Sequence, residues 1–78
     1  MSADNYVIVR KFGKGDFRWA MYFASDDEPD MSDKNFRHGP FKTPREAANN
    51  AEDKLCIIEY GIEFEDGCLV GEEIIQWR

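Results

Sequence analysis

The chain has one histidine, two cysteines and no apolar run near the ~18 residues needed to cross a bilayer, and each shortage removes a class of function. With His38 alone, Ser25 and Ser32 have no imidazole base in a recognised arrangement and no nucleophile elbow, so serine-type hydrolysis is not legible. A zinc site would have to join His38 to Cys56, Cys68 and carboxylates at spacings that match no zinc motif. The two cysteines form no CxxC pair and read as free thiols. With no signal peptide or membrane segment visible, the expected setting is a reducing cytoplasm. The Gly13-Lys14-Gly15-Asp16 segment is too short and wrongly flanked for a phosphate loop. Positive charge is scarce too: 10 Lys and Arg against 16 Asp and Glu leave a net charge of −6, a balance that repels nucleic acid.

What the chain does have is acid in two places. Residues 25–35 hold five acids and one lysine, and residues 56–78 hold six acids and one arginine. Asp26, Glu28 and Asp30 imitate the start of a calcium loop, but Met31 and Arg37 stand where such a loop needs Gly and Glu, and Pro29 interrupts the ligands. No metal and no cofactor is expected. Paired carboxylates could do acid–base work only if they met in space, and the reading is that the protein is not an enzyme.

At 78 residues the chain reads as one domain, able to bury roughly 60–65% of its unfolded surface. Tyr6–Phe12 and Phe17–Ala24 predict an antiparallel hairpin, with Phe17, Trp19, Met21 and Phe23 on one face. Residues 25–42 read as a long acidic loop, anchored only by Met31, Phe36 and Phe41. Thr43-Pro44-Arg45-Glu46 is a helix start with a T-x-x-E capping box, and Ala47, Ala48, Ala51 and Leu55 form one stripe, leaving Asn49, Asn50 and Asp53 to water. The alternation Ile58, Tyr60, Ile62, Phe64 predicts a strand over 57–65 that buries the even positions. Asp66-Gly67 reads as a turn and Glu73–Trp77 as a last strand. The expected fold is therefore α+β in two layers: an antiparallel sheet of three to four strands with one helix on one face, in the order β-β-α-β-(β). Its second face, with Tyr, Arg, Lys and Glu, is left to meet water or a partner.

The opening Met1-Ser2-Ala3-Asp4-Asn5, the Phe41–Ala48 stretch FKTPREAA and the strand Ile58-Glu59-Tyr60-Gly61-Ile62 resemble a group of small phage and prophage accessory proteins. Tyr6 stands where that group has Gly. The resemblance implies a setting, a host cell cytoplasm, and no catalytic residues. In size and charge the chain is also similar to the inhibitors by which phages block host defence, anti-CRISPR proteins among them.

The function expected from these readings is binding. Asp26, Asp27, Glu28 and Asp30 on the loop, with Glu59, Glu63, Glu65 and Asp66 on the strand and its turn, would stand in for phosphates against a basic host protein such as a nucleic-acid-binding complex. Reversing Glu59, Glu63 and Glu65 to Lys is expected to leave the fold intact. A second expectation is a structural or regulatory module that self-associates, as a homodimer for example, through a sheet edge or through Trp19, Tyr22 or Trp77. Direct nucleic-acid binding by the hairpin, through Arg10, Lys11, Lys14 and Arg18 beside Trp19 and Tyr22, is disfavoured by the net charge.

Overall fold

The computed structural model describes residues 4–65, 67 and 68. Strand β1 (Asn5–Gly13) pairs antiparallel with β2 (Asp16–Phe23), from Asn5 opposite Phe23 to Gly13 opposite Asp16. The tight turn between them uses Gly15 at φ +68°, a conformation that costs glycine nothing. The predicted hairpin thus forms, and Phe17, Trp19 and Met21 do turn toward the helix, although Phe23 at the strand end is exposed.

Helix α1 spans Pro44–Leu55. The Thr43 Oγ1 accepts the Glu46 N–H at 3.1 Å and donates its own hydrogen to the Glu46 carboxylate at 3.4 Å, so the N-cap forms as read and Glu46 reaches back to it through the hydroxyl. Ala47, Ala48 and Ala51 are fully buried, and their small side chains let the helix lie close against the sheet. Asn49 and Asp53 face water. Asn50 does not, because its Oδ1 accepts the indole N–H of buried Trp19 at 3.0 Å. A large ring under the helix needs one polar partner there, and Asn50 is within reach.

Two further differences share one cause. Within the expected loop, His38–Phe41 forms a short edge strand, β3, which pairs antiparallel with β2 through Phe17 opposite Phe41 and Trp19 opposite His38. Its Gly39-Pro40 pair masks the strand in the sequence, yet proline is tolerated on an edge, where a missing N–H breaks no ladder. This extra strand reverses the chain before α1. The strand after the helix, β4 (Ile62–Phe64), consequently runs parallel to β1, and β3-α1-β4 is a crossover of the parallel type. The sheet has the order β3-β2-β1-β4 and is mixed, where the sequence predicted an all-antiparallel one. The α+β architecture of one helix on a four-stranded sheet stands.

The strand expected over 57–65 shrinks to Ile62–Phe64. Gly61 at φ +82° interrupts the extended chain, and residues 57–60 are instead held by Asn5. Its Nδ2 donates to Ile57 O at 3.0 Å, its Oδ1 accepts the Glu59 N–H at 2.8 Å, and its main-chain oxygen accepts the Tyr60 N–H at 2.9 Å. Ile58, Ile62 and Phe64 pack inward as the alternation required, but Tyr60 is exposed. The last strand expected over Glu73–Trp77 lies outside the described residues.

Apolar side chains line both faces of the sheet. Val7, Val9, Phe17 and Trp19 pack under α1 with Cys68, whose thiol donates to Val9 O at 3.2 Å. On the other face Ile8, Ala20, Tyr22 and Phe36 form a second cluster flanked by Tyr6 and Phe12. The face left to water or a partner by the sequence reading is therefore partly covered: Phe36 of the acidic loop packs on it, and Asp30, Met31 and Asp33 are tied to Tyr22 and Arg10.

Candidate functional site

The acidic segment after β2 is ordered by its own polar groups. Asp26 accepts the Glu28 N–H at 3.1 Å and Asp30 accepts the Ser32 N–H at 3.0 Å, while Asp30 O accepts both the Asn35 amide at 2.7 Å and the Tyr22 hydroxyl at 2.9 Å. Short aspartate side chains favour such local turns over regular structure. Hydrogen bonding from Ser32 holds the Asp30 carboxyl below its ordinary range, and burial pushes the Tyr22 hydroxyl up. Asp26, Asp27, Glu28 and Asp30 all remain exposed.

Arg10 joins this segment to β4. Its Nε and Nη2 grip the Glu65 carboxylate at 2.6 and 2.9 Å, and its Nη1 donates to Met31 O at 2.7 Å and to Asp33 at 3.0 Å. The guanidinium lies over the Phe36 ring, 4.0 Å from its centroid. Only arginine offers a planar fork that meets a carboxylate twice and still has donors for two more partners. The bond to Glu65 chiefly, and Asp33 less, raises the Arg10 pKa. Across the hairpin, Arg18 is gripped by Asp16 at 2.9 and 3.0 Å and lies 4.6 Å from the Phe12 ring centroid.

The acids expected to form one surface are divided by this geometry. The exposed run of Asp26, Asp27, Glu28 and Asp30 stays together, and Glu63, opposite Ile8 in the register, projects from the same side of the sheet. Glu65 belongs to the Arg10 clasp and is no open surface charge. Glu59 sits elsewhere, in an open groove of about 850 Å³ lined by Glu52, Cys56, Ile58, Glu59, Tyr60, Gly61 and Ile62. Asp66 lies outside the described residues. The predicted row of Glu59, Glu63 and Glu65 at two-residue spacing is thus not a row, because the chain is extended only from Ile62.

Two of the aromatic side chains expected to be uncovered are not. Trp19 and Tyr22 are buried, so neither supports self-association or base stacking as read, and Trp77 lies outside the described residues. The basic cluster is likewise engaged at Arg10 and Arg18. Trp19 instead stacks on His38, with centroids 3.8 Å apart and planes 9° from parallel. Burial first, and Lys54 second, lower the His38 pKa. Exposed apolar surface is found at Ile57 (64%) and Tyr60 (61%).

Asn5, Arg10, Asp33 and Phe36 carry the arrangement, and sequence reasoning passed over these roles. One signal was present. Tyr6-Val7-Ile8-Val9 followed by Phe12 is apolar at odd and even positions alike, the mark of a strand covered on both faces. A lone Phe36 in an acidic loop is the natural cover for the second face.

Among the described residues no group of three or more His, Cys, Asp or Glu is placed to hold a metal ion, and no helix is long and apolar enough to cross a membrane. Compared with protein-family models, with curated proteins and with solved structures, the chain matches none.

Proposed function

We propose that the protein acts by binding, through the carboxylates of residues 26–30 with Glu63 on the same side of the sheet, to a basic surface of another protein. The observation that carries this reading is the exposed run of Asp26, Asp27, Glu28 and Asp30 on a segment fixed by Tyr22 and Arg10, which offers closely spaced negative charge in a set geometry. Preset charge accelerates encounter and selects partners of opposite sign. A nucleic-acid-handling complex has such a basic surface. Inhibition of a host defence complex of that kind, in the manner of the anti-CRISPR-type phage proteins that the chain is similar to, in the cytoplasm of the host, is the function we put forward. Catalysis is no part of the proposal: Asp33 and Glu65 both engage Arg10, as a structural clasp does.

Capture of partners from a host lysate tests the reading. A basic partner should be retained at low ionic strength and released as salt shortens the Debye length toward about 3 Å. Asp26→Lys, Asp27→Lys and Glu28→Lys together should abolish retention while leaving the circular dichroism spectrum unchanged. Retention that ignores both salt and charge reversal would sink the proposal.

A second reading, self-association, is favoured by Ile57 and Tyr60, large exposed apolar side chains on one short segment, the second of which lines the groove. Sedimentation of the full chain at tens of micromolar decides it, since a monomer there removes this alternative.

A further inference from the structure

The two faces of the sheet are covered by different means. Under α1, three alanines are fully buried, and β4 is tied to β1 by main-chain hydrogen bonds, Val7 N–H to Gly61 O at 3.0 Å and Glu65 N–H to Val9 O at 3.1 Å. On the other face, residues 27–37 form no ladder with the sheet. Their backbone-to-backbone hydrogen bonds, among the described residues, are two turns of their own, Asn35 N–H to Ser32 O at 3.1 Å and Phe36 N–H to Asp33 O at 3.0 Å. One side chain of this segment, Phe36, is buried. A segment that gives one side chain to the core and keeps its backbone bonds to itself opens at lower cost than the hairpin beneath it.

Beyond the packing of Phe36 on Ile8, Phe12, Ala20 and Tyr22, the polar ties that hold it converge on two sheet residues. Tyr22 donates to Asp30 O, and Arg10 reaches Met31 O, Asp33 and the Phe36 ring. Arg10 is built for catch and release. Glu65 grips Nε and Nη2 from the β4 side, whereas the segment is held through Nη1 and the face of the guanidinium. Lifting the segment therefore breaks the Nη1 bonds and the ring contact but leaves Arg10 anchored, ready to recapture Asp33.

We propose that residues 27–37 are a strap that opens from the sheet as a unit, with Arg10 as its latch, and that opening uncovers an aromatic face formed by Tyr6, Phe12 and Tyr22. This device does not depend on which partner the carboxylates meet. It does govern how Asp27, Glu28 and Asp30 are displayed, because their spacing is fixed only while the strap is closed.

Hydrogen exchange of the full chain, read amide by amide, tests the proposal with the wild type, Arg10→Met and Asp33→Asn. In the wild type the Asn35 and Phe36 amides, whose two isolated turns do not persist once the strap leaves the sheet, should exchange at least ~10-fold faster than hairpin amides at Ile8 and Ala20. Arg10→Met should speed strap exchange a further ~10-fold or more while the hairpin changes less than ~2-fold. Asp33→Asn alters a side chain that is 77% exposed and spares the fold, and it should speed the strap by about 3-fold, as loss of one exposed ion pair implies. Equal exchange of strap and hairpin in the wild type overturns the proposal, since both would then open only by global unfolding. An unchanged strap in Asp33→Asn overturns the latch.

Discussion

Among the described residues Asn5 is the one buried polar residue, 5% exposed, and replacing it should loosen the junction between α1 and β4. Its amide acts as a spare peptide group, donating to Ile57 O and accepting from the Glu59 N–H where no strand pairing is available. Asn5→Ala removes both of these hydrogen bonds, along with the weak one from Nδ2 to Met21 Sδ at 3.7 Å. A buried group left without its partner costs about 1–3 kcal/mol, and because Ile57 and Glu59 are themselves exposed, water takes over part of the loss, so about 1 kcal/mol each is the working figure. With about 1 kcal/mol for the space vacated, the substitution should destabilise by about 2–3 kcal/mol, or roughly 10–20 °C in Tm for a domain of this size. Asn5→Asp sharpens the test. Its carboxylate keeps an acceptor for Glu59 but turns an oxygen toward Ile57 O, which, with burial, raises the folded pKa of the new acid above its unfolded value of about 3.9. A group with a raised folded pKa contributes stability that is present below the unfolded pKa and is lost as pH rises through the folded one. The protonated acid can donate to Ile57 O and still accept from Glu59, so Asn5→Asp should approach the wild type near pH 3 and fall away from it toward pH 7. Urea midpoints of the three proteins across that range give the answer. A loss under about 0.5 kcal/mol for Asn5→Ala, or an Asn5→Asp deficit that does not move with pH, would refute the peptide-mimic account.

Three further outcomes follow from single contacts. Asn50→Ala strands the Trp19 indole N–H and should cost about 1–2 kcal/mol by urea unfolding, whereas Asn50→Asp, which keeps the acceptor, should retain most of that stability. The folded pKa of His38 is lowered, so the stability linked to its neutral ring is present above the unfolded value of about 6.5 and is lost as pH falls through the folded one; His38→Gln should flatten the fall in urea midpoint between about pH 7 and pH 5. At Gly39 the backbone has φ +148° and an added Cβ would meet Phe17 O at 2.8 Å, so Gly39→Ala should cost about 2–3 kcal/mol in thermal unfolding, while Gly13→Ala, with nothing within 4 Å, should be close to neutral.

The elements that local chemistry specifies were legible, and the ones specified by distant partners were not. Capping at Thr43, proline at the first helical turn and an alanine stripe act within a few residues, and they give α1 its start and its buried face in advance of any structure. The hairpin follows from two apolar runs and a glycine turn. Strand β3 has no such signature. His-Gly-Pro-Phe looks like a turn, and it is extended because β2 offers an edge on which Phe41 and His38 find Phe17 and Trp19. Once that strand is missed, the direction of everything after α1 is misjudged, which is how one hidden edge strand becomes a wrong orientation for β4. The end of β4 is similar: alternation over Ile58–Phe64 reads as one strand, but Asn5, more than fifty residues away in the chain, outbids a strand for the backbone of residues 57–60.

The same distinction bears on the acidic surface. Arg10 and Arg18 stand directly opposite each other across the hairpin, an arrangement that repels unless each has its own counter-ion. Glu65 and Asp33 neutralise one and Asp16 the other. These three acids therefore offset charge inside the protein and add little to the field that a partner meets. Changing Glu65 to Lys would set a third cation against Arg10 and free the strap, so a loss of binding in the triple reversal of Glu59, Glu63 and Glu65 would report damage to the clasp as readily as loss of surface charge. Reversal confined to Asp26, Asp27 and Glu28 touches no cation that the fold relies on. Asp26→Lys also removes the acceptor of the Glu28 N–H, so the effect on a partner reads as charge alone only where the strap's hydrogen exchange in that variant is unchanged.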